Sequence, residues 1–298
     1  YFVTQRLFIF VKGKRLIRST IYKLYNMQKT EIVLKGSREK PIPVDIRYKK
    51  TNQLKPIIIF CHGFKGFKDW GHFNLIADEF AKYDFVFVKF NFSYNGTTPE
   101  NPVDFSDLDA FGNNNFSIEL DDLGIVIDYI ESAAGQYEGN KNEIYLIGHS
   151  RGGGIAILKT YEDSRIKKMA SWASVKDVND FFINQDVDKW KADEIIYTLN
   201  GRTQQNMPLY FQIYENYVAN KERLNIPKAA VNISVPWLIV HGTNDTSVLY
   251  SYAKQLHKWN TKSELFSIED ADHTFGGKHP WNEDELPADS KILTETTI

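Results

Sequence analysis

The segment 144–156, IYLIGHSRGGGIA, constrains this chain more than any other. Ile144, Tyr145, Leu146 and Ile147 predict a short buried strand. Gly148-His149-Ser150-Arg151-Gly152 predicts a tight turn, and two further glycines followed by apolar residues open a helix. A serine squeezed between strand and helix sits on a strained turn, and flanking residues without a β-carbon let neighbouring backbones approach closely. Ser150 is thereby expected to project its hydroxyl at the end of a sheet. A lone G-x-S-x-G also occurs in ordinary turns. Its chemical meaning depends on whether the chain supplies a base, an acid and an oxyanion hole.

The rest of the chain supplies a sheet for that turn to sit on. Segments 30–35 and 43–48 alternate apolar and polar residues, which predicts an edge hairpin. Segment 56–61, PIIIFC, is continuously apolar, as a strand covered on both faces must be. Further strands are expected at 85–90, 169–175, 236–240 and 264–268, and helices at 74–83, 118–134 and 248–259, with Ser117 as the N-cap of the second. A last helix is expected to begin near Pro287 or Ala288. This alternation implies an α/β chain with a mostly parallel, doubly wound sheet. The long loop 93–117 has the length of a functional or mobile one. Segment 176–232 breaks the pattern, being helical in composition and rich in large aromatics (Phe181, Phe182, Trp190, Tyr197, Tyr210, Phe211, Tyr214, Tyr217). It reads as an insertion over one end of the sheet.

At 298 residues and 42% apolar, the chain can bury one large core or two small ones. Its 36 basic and 38 acidic residues nearly cancel, so no field of one sign advertises nucleic acid, and no apolar run is long enough for stable membrane insertion. The single cysteine, Cys61, excludes an internal disulfide framework and fits a reducing, cytoplasmic setting. Residues 1–26 hold six basic residues and no acid. The apolar run there is too short, and lacks the cleavage site, for a secretory signal, and serine is too scarce for a transit peptide. The preferred reading is that translation starts at Met27, with residues 27–298 forming one domain and residues 1–26 a leader that is untranslated or unstructured. The final helix stops after little more than two turns at Ile298, which reads as a truncated C-terminus.

Serine is a weak nucleophile until a base takes its proton, and the base needs an acceptor behind it. Asp245, in His241-Gly242-Thr243-Asn244-Asp245, follows an apolar strand and so falls where open α/β sheets place their sites. His273, in Asp272-His273-Thr274-Phe275, follows the last strand. His279 is the fallback base, weakened by Pro280 beside it and by its distance from the strand. His62, His149 and His241 sit beside glycine turns and are expected to make structural hydrogen bonds. Two backbone N–H groups must face the oxygen that becomes negative. Arg151, after the nucleophile, supplies one, and Phe64, flanked by Gly63 and Gly66, the other. No H-E-x-x-H, paired-cysteine or G-x-x-x-x-G-K pattern occurs, so neither a metal nor another cofactor is expected.

Together, His62-Gly63-Phe64, Gly148-His149-Ser150-Arg151-Gly152-Gly153, His241-Gly242-x-x-Asp245-x-x-Val248 and Asp272-His273-x-Phe275 resemble the α/β-hydrolase superfamily. More narrowly they are similar to the dienelactone-hydrolase and prolyl-oligopeptidase-like branch, which includes small bacterial cinnamoyl (feruloyl) esterases. The resemblance spans residues 41–281. It implies about eight strands, only the second antiparallel, with segment 176–232 as a helical lid over the serine. Dienelactone hydrolases use cysteine where this chain has Ser150, so lactone cleavage is not implied, and there is no room for the propeller domain that peptidases of the branch usually carry.

The function expected is a serine-dependent hydrolysis of a carboxylic, small-molecule ester through an acyl-enzyme, with Ser150 as nucleophile, His273 as base and Asp245 behind it. The alternatives are a thioesterase or small acyl-peptide hydrolase with the same residues, or a catalytically silent binding protein on this fold. The aromatics of the insertion either line an acyl pocket or anchor the insertion's own core. Oligomeric state is not legible.

Overall fold

The computed structural model describes residues 26–298. The expected basic leader therefore lies outside the described residues, apart from Asn26. Eight strands form one sheet in the order β1-β2-β4-β3-β5-β6-β9-β10. They are β1 (Met27–Lys35), β2 (Pro41–Lys49), β3 (Lys55–Cys61), β4 (Val86–Phe90), β5 (Gly139–His149), β6 (Ile166–Trp172), β9 (Trp237–Gly242) and β10 (Glu264–Ile268). Strand β2 runs antiparallel to both its neighbours, and every other pairing is parallel. The α/β-hydrolase architecture expected from the motifs is the one the chain adopts.

Period-two alternation assigns each strand residue to one of two cores. In β3, Ile57, Ile59 and Cys61 enter the core under helices α3 (Phe116–Ala133), α4 (Arg151–Glu162) and α8 (Ser251–Trp259). Ile58 and Phe60 enter the opposite core, beneath α1 (Phe73–Lys82) and α9 (Ala288–Thr297). Both faces are thus covered, which is why these strands read as unbroken apolar runs. The chain leaves β3 towards β4 on one side and later returns to β5 on the other. The carboxyl ends of β3 and β5 therefore meet at the point where the sheet reverses its winding, and ligands of such sheets bind there.

There are two shorter helices, α2 (Leu108–Gly112) in the long loop and α5 (Val187–Asp193) in the insertion. The insertion also holds α6 (Gln212–Ala219), α7 (Ile226–Asn232) and a two-stranded antiparallel ribbon, β7 (Ile195–Leu199) with β8 (Asn206–Tyr210). It is helical only in part, therefore. Helix α3 is capped by Asn115, whose side chain accepts the Ile118 N–H at 3.0 Å, and not by Ser117, which lies inside the helix and donates to Asn216. The turn before α8 runs on to Tyr250, so that helix begins three residues later than its apolar spacing suggests.

Candidate active site

The glycines of segment 148–154 are there to let backbones touch. A β-carbon on Gly148 would lie 2.2 Å from the Gly152 carbonyl oxygen, and one on Gly152 would lie 2.3 Å from that of Cys61. Helix α4 can therefore start directly against the end of β3 only with glycine at both positions. Ser150 takes up the sharp reversal between them, at φ 58° and ψ −122°, a conformation that costs a non-glycine residue energy and is kept where the surroundings enforce it. Its N–H donates to the Trp172 carbonyl at 2.9 Å, tying the turn to β6.

The structure brings Ser150, His273 and Asp245 together. The Ser150 hydroxyl lies 3.0 Å from His273 Nε2 and donates to it, while His273 Nδ1–H donates to Asp245 Oδ2 at 2.7 Å. The other carboxylate oxygen accepts the N–H groups of Ser247 and Val248, each at 2.8 Å. His241 Nε2–H is shared between Asp245 Oδ2 at 3.1 Å and the Val248 carbonyl at 2.8 Å. Burial alone would raise the pKa of the Asp245 carboxyl. The hydrogen bonds from His241, His273 and the backbone overcome it and hold the group well below the usual carboxylate range. Asp245 is accordingly an anion that fixes one tautomer of the imidazole in front of it, leaving Nε2 free to accept.

His149 and His241, expected to be structural, both touch this relay. His149 Nε2–H donates to the His273 carbonyl at 2.9 Å, and the two rings lie 4.9 Å apart. Burial pushes the His149 imidazole down to about 3, so it stays neutral and acts as a fixed donor. No sequence signal separates such a role from an ordinary turn histidine, because it arises between residues 124 positions apart. His62 is a neutral strut, Nδ1–H on the Gly63 carbonyl and Nε2 accepting from Phe92, pushed down to about 4 by burial. His279 accepts the Gly71 N–H through Nδ1, packs on Phe67 and takes no part in the relay.

The two expected oxyanion donors lie on the loops that flank Ser150. A β-carbon on Gly63 would stand 3.0 Å from that of Ser150, so the backbone entering Phe64 runs directly beside the serine. Neither the Phe64 nor the Arg151 N–H donates to another group among the described residues. The loop carrying Phe64 is anchored from behind. Asn91 Oδ1 accepts the Lys68 N–H at 2.6 Å, and Asp69 pairs with both Lys68 and buried Lys89. Against the effect of burial, those two cations bring Asp69 down to about 2. Burial pushes the Cys61 thiol far above its usual range, which makes it an inert core group.

Most aromatics of the insertion pack on one another. Phe182 meets Tyr214 and Tyr217 at 5.3 and 5.0 Å, and Phe211 meets Trp190 and Tyr214 at 5.9 and 5.6 Å. Phe181 is different, because it reaches Phe64 at 5.3 Å and Phe116 at 5.9 Å. Among the described residues, no cluster of histidine, cysteine or acidic side chains is placed to hold a metal ion, and no helix is long and apolar enough to cross a membrane.

No curated protein sequence matches this chain. Solved structures share its fold at low identity. Est1E from Butyrivibrio proteoclasticus, in a structure with ferulic acid bound, is 18% identical with a TM-score of 0.67, covering 89% of this chain and 95% of that one. The α/β hydrolase GrgF from Penicillium sp. sh18 is 13% identical with a TM-score of 0.68 (91% and 96% covered). The esterase domain of a Rhodothermus marinus protein is 17% identical with a TM-score of 0.60 (91% and 96% covered). The model of the BD-FAE family matches residues 44–260, more than half of the sequence, and the chain belongs to that family.

Proposed function

We propose that the protein is a serine hydrolase of carboxylic esters. The observation that carries this reading is the relay from the strained Ser150 through His273 to Asp245, with both hydrogen bonds at working length. In the reaction, Ser150 Oγ attacks the ester carbonyl carbon while its proton passes to His273 Nε2. The carbonyl oxygen becomes negative and is held by the N–H groups of Phe64 and Arg151, each worth roughly 100- to 1000-fold in rate. The tetrahedral centre collapses, the C–O bond to the alcohol breaks, and the alcohol leaves with the proton from His273. Water then repeats the sequence on the acyl-serine and releases the acid. Asp245 stays ionised throughout.

A small-molecule ester is the class of substrate that fits, since the oxyanion loop beside the serine carries aromatic cover: Phe64 meets Phe111 of loop 93–117 at 5.4 Å and Phe181 of the insertion at 5.3 Å. The ferulic acid held by Est1E lends support to an acyl group of that size. The test is a panel of aryl, alkyl and thioester substrates assayed with the protein and its Ser150→Ala variant. Ester hydrolysis that falls by a factor of at least about 10³ in the variant is expected. Hydrolysis that survives the substitution, or a thioester preferred over every oxygen ester, contradicts the reading.

A further inference from the structure

Arg151 follows the nucleophile, and its side chain is 4% exposed. Its Nε–H donates to Glu119 Oε2 at 2.9 Å, and the other oxygen of Glu119 is taken by Asn114 Nδ2 at 2.8 Å. The guanidinium carbon lies 3.9 Å from the ring centre of Phe116 and 5.4 Å from those of Phe64 and Phe181. Its Nη1 and Nη2 are both buried, and neither has a hydrogen-bond partner among the described residues. A guanidinium has five N–H donors in a rigid fork, so the four on Nη1 and Nη2 stand unused near the ring of Phe64, whose backbone runs beside Ser150. Stacking on an aromatic ring engages the face of the group and leaves its edge unfilled. Leaving such buried donors empty is costly, so a ligand that fills them gains by it.

The charge around this edge is also unbalanced. Lys65 Nζ lies 5.5 Å from the centre of the Phe64 ring and donates to the Leu199 carbonyl at 3.0 Å. Burial lowers its pKa, with no carboxylate offsetting that effect. Two cations therefore flank Phe64, and Glu119 is the one acid bonded to either. His273 is bonded to Ser150, Asp245 and His149, and neither Asp245 nor His149 is among the groups that the Arg151 guanidinium touches. Since the alcohol leaves past His273, the part of the substrate nearest Arg151 is the acyl part.

We infer that Arg151 pairs through Nη1 and Nη2 with a carboxylate carried on the acyl group, so that the substrates are half-esters of dicarboxylic acids. This rests on the proposed role of Ser150. A carboxylate supplies two acceptors at the spacing of the fork, which a single ether or hydroxyl oxygen does not. Nη1 and Nη2 are buried, so a carboxylate would reach them by parting the half-buried rings of Phe64 and Phe181, 5.3 Å apart, which join the loop after β3 to the first turn of the insertion.

The experiment compares kcat/KM for the monomethyl esters of succinate, glutarate and adipate with that for methyl pentanoate. At least one half-ester should be preferred tenfold or more. Arg151→Met should lower that ratio at least tenfold. Glu119→Gln, which keeps an acceptor for Nε but removes the opposing charge, should raise it. A ratio near or below one for all three half-esters overturns the inference, as does a ratio that Arg151→Met leaves unchanged. Should that variant not fold, Arg151→Lys and Glu119→Gln carry the same comparison. If the neutral ester is hydrolysed in a Ser150-dependent way without preference for a half-ester, only this inference fails. If no ester is hydrolysed, the hydrolase reading fails. Calorimetric titration with glutarate then decides the anion site: saturable binding lost in Arg151→Met upholds it, and no binding to the unaltered protein overturns it.

Discussion

Asp245 has both carboxylate oxygens committed, Oδ1 to two backbone N–H groups and Oδ2 to His273 and His241. An asparagine here would keep Oδ1 on the backbone and turn its NH₂ towards His273 Nδ1. That ring would then carry its proton on Nε2, where it cannot accept one from Ser150. Asp245→Asn should therefore lower kcat by about 10³- to 10⁴-fold with little change in thermal midpoint, measured by steady-state kinetics beside a melting curve. A loss below tenfold would show that Asp245 does not set the tautomer. That Ser150, Asp245 and His273 come together was legible in the sequence because each lies in the turn or loop after an apolar strand, and the ends of parallel strands converge on one edge of the sheet. Glu119 and His149 were not. Their roles depend on contacts made only once α3 packs beside α4 and the loop after β10 folds over β5.

At the scale of elements, polar contacts from one residue of the insertion add to the apolar core it shares with the body. Gln212, the first residue of α6, donates to the carbonyls of Asn114 at 2.9 Å and Gly112 at 3.3 Å, and accepts from Asn115 Nδ2 at 2.8 Å. Its amide thus joins the insertion to the segment that caps α3. Gln212→Ala severs three hydrogen bonds, and hydrogen exchange should quicken over 195–219 while β3 and β5 keep their protection. Uniform protection in the variant would mean that these bonds do not hold the insertion. The ribbon β7-β8 escaped the sequence pattern for a physical reason. Pro208 lies in its second strand, and a proline argues against any strand paired on both sides. In an isolated ribbon it can face outwards, here opposite Tyr197. Strands β3 and β4 stood out because cover on both faces demands unbroken apolar runs, whereas β6 begins and ends three residues earlier than the stretch 169–175 expected for it.

For the molecule as a whole, three buried histidines resist protonation. Burial depresses His62 and His72 to about 4 and His149 to about 3, all below the value of a free imidazole. A histidine depressed on folding contributes stability that is complete above about pH 6.5 and is lost as the pH falls towards the folded value. Asp122 works the other way. Burial raises it to about 6, so the folded state takes up its proton first and gains stability over the same range. The balance is roughly two protons bound on unfolding near pH 5, or about 3 kcal/mol lost per pH unit. Urea midpoints measured from pH 7 to 4.5 should fall accordingly, and more steeply in Asp122→Asn; a flat profile would contradict the burial of these rings.

Activation of Ser150, as proposed, is read out by covalent labelling. Folded protein treated with a fluorophosphonate and digested should carry one adduct, on the peptide containing Ser150, with labelling abolished in Ser150→Ala and slowed in His273→Ala. Folded protein that takes up no label, or that takes it up elsewhere, would contradict the account.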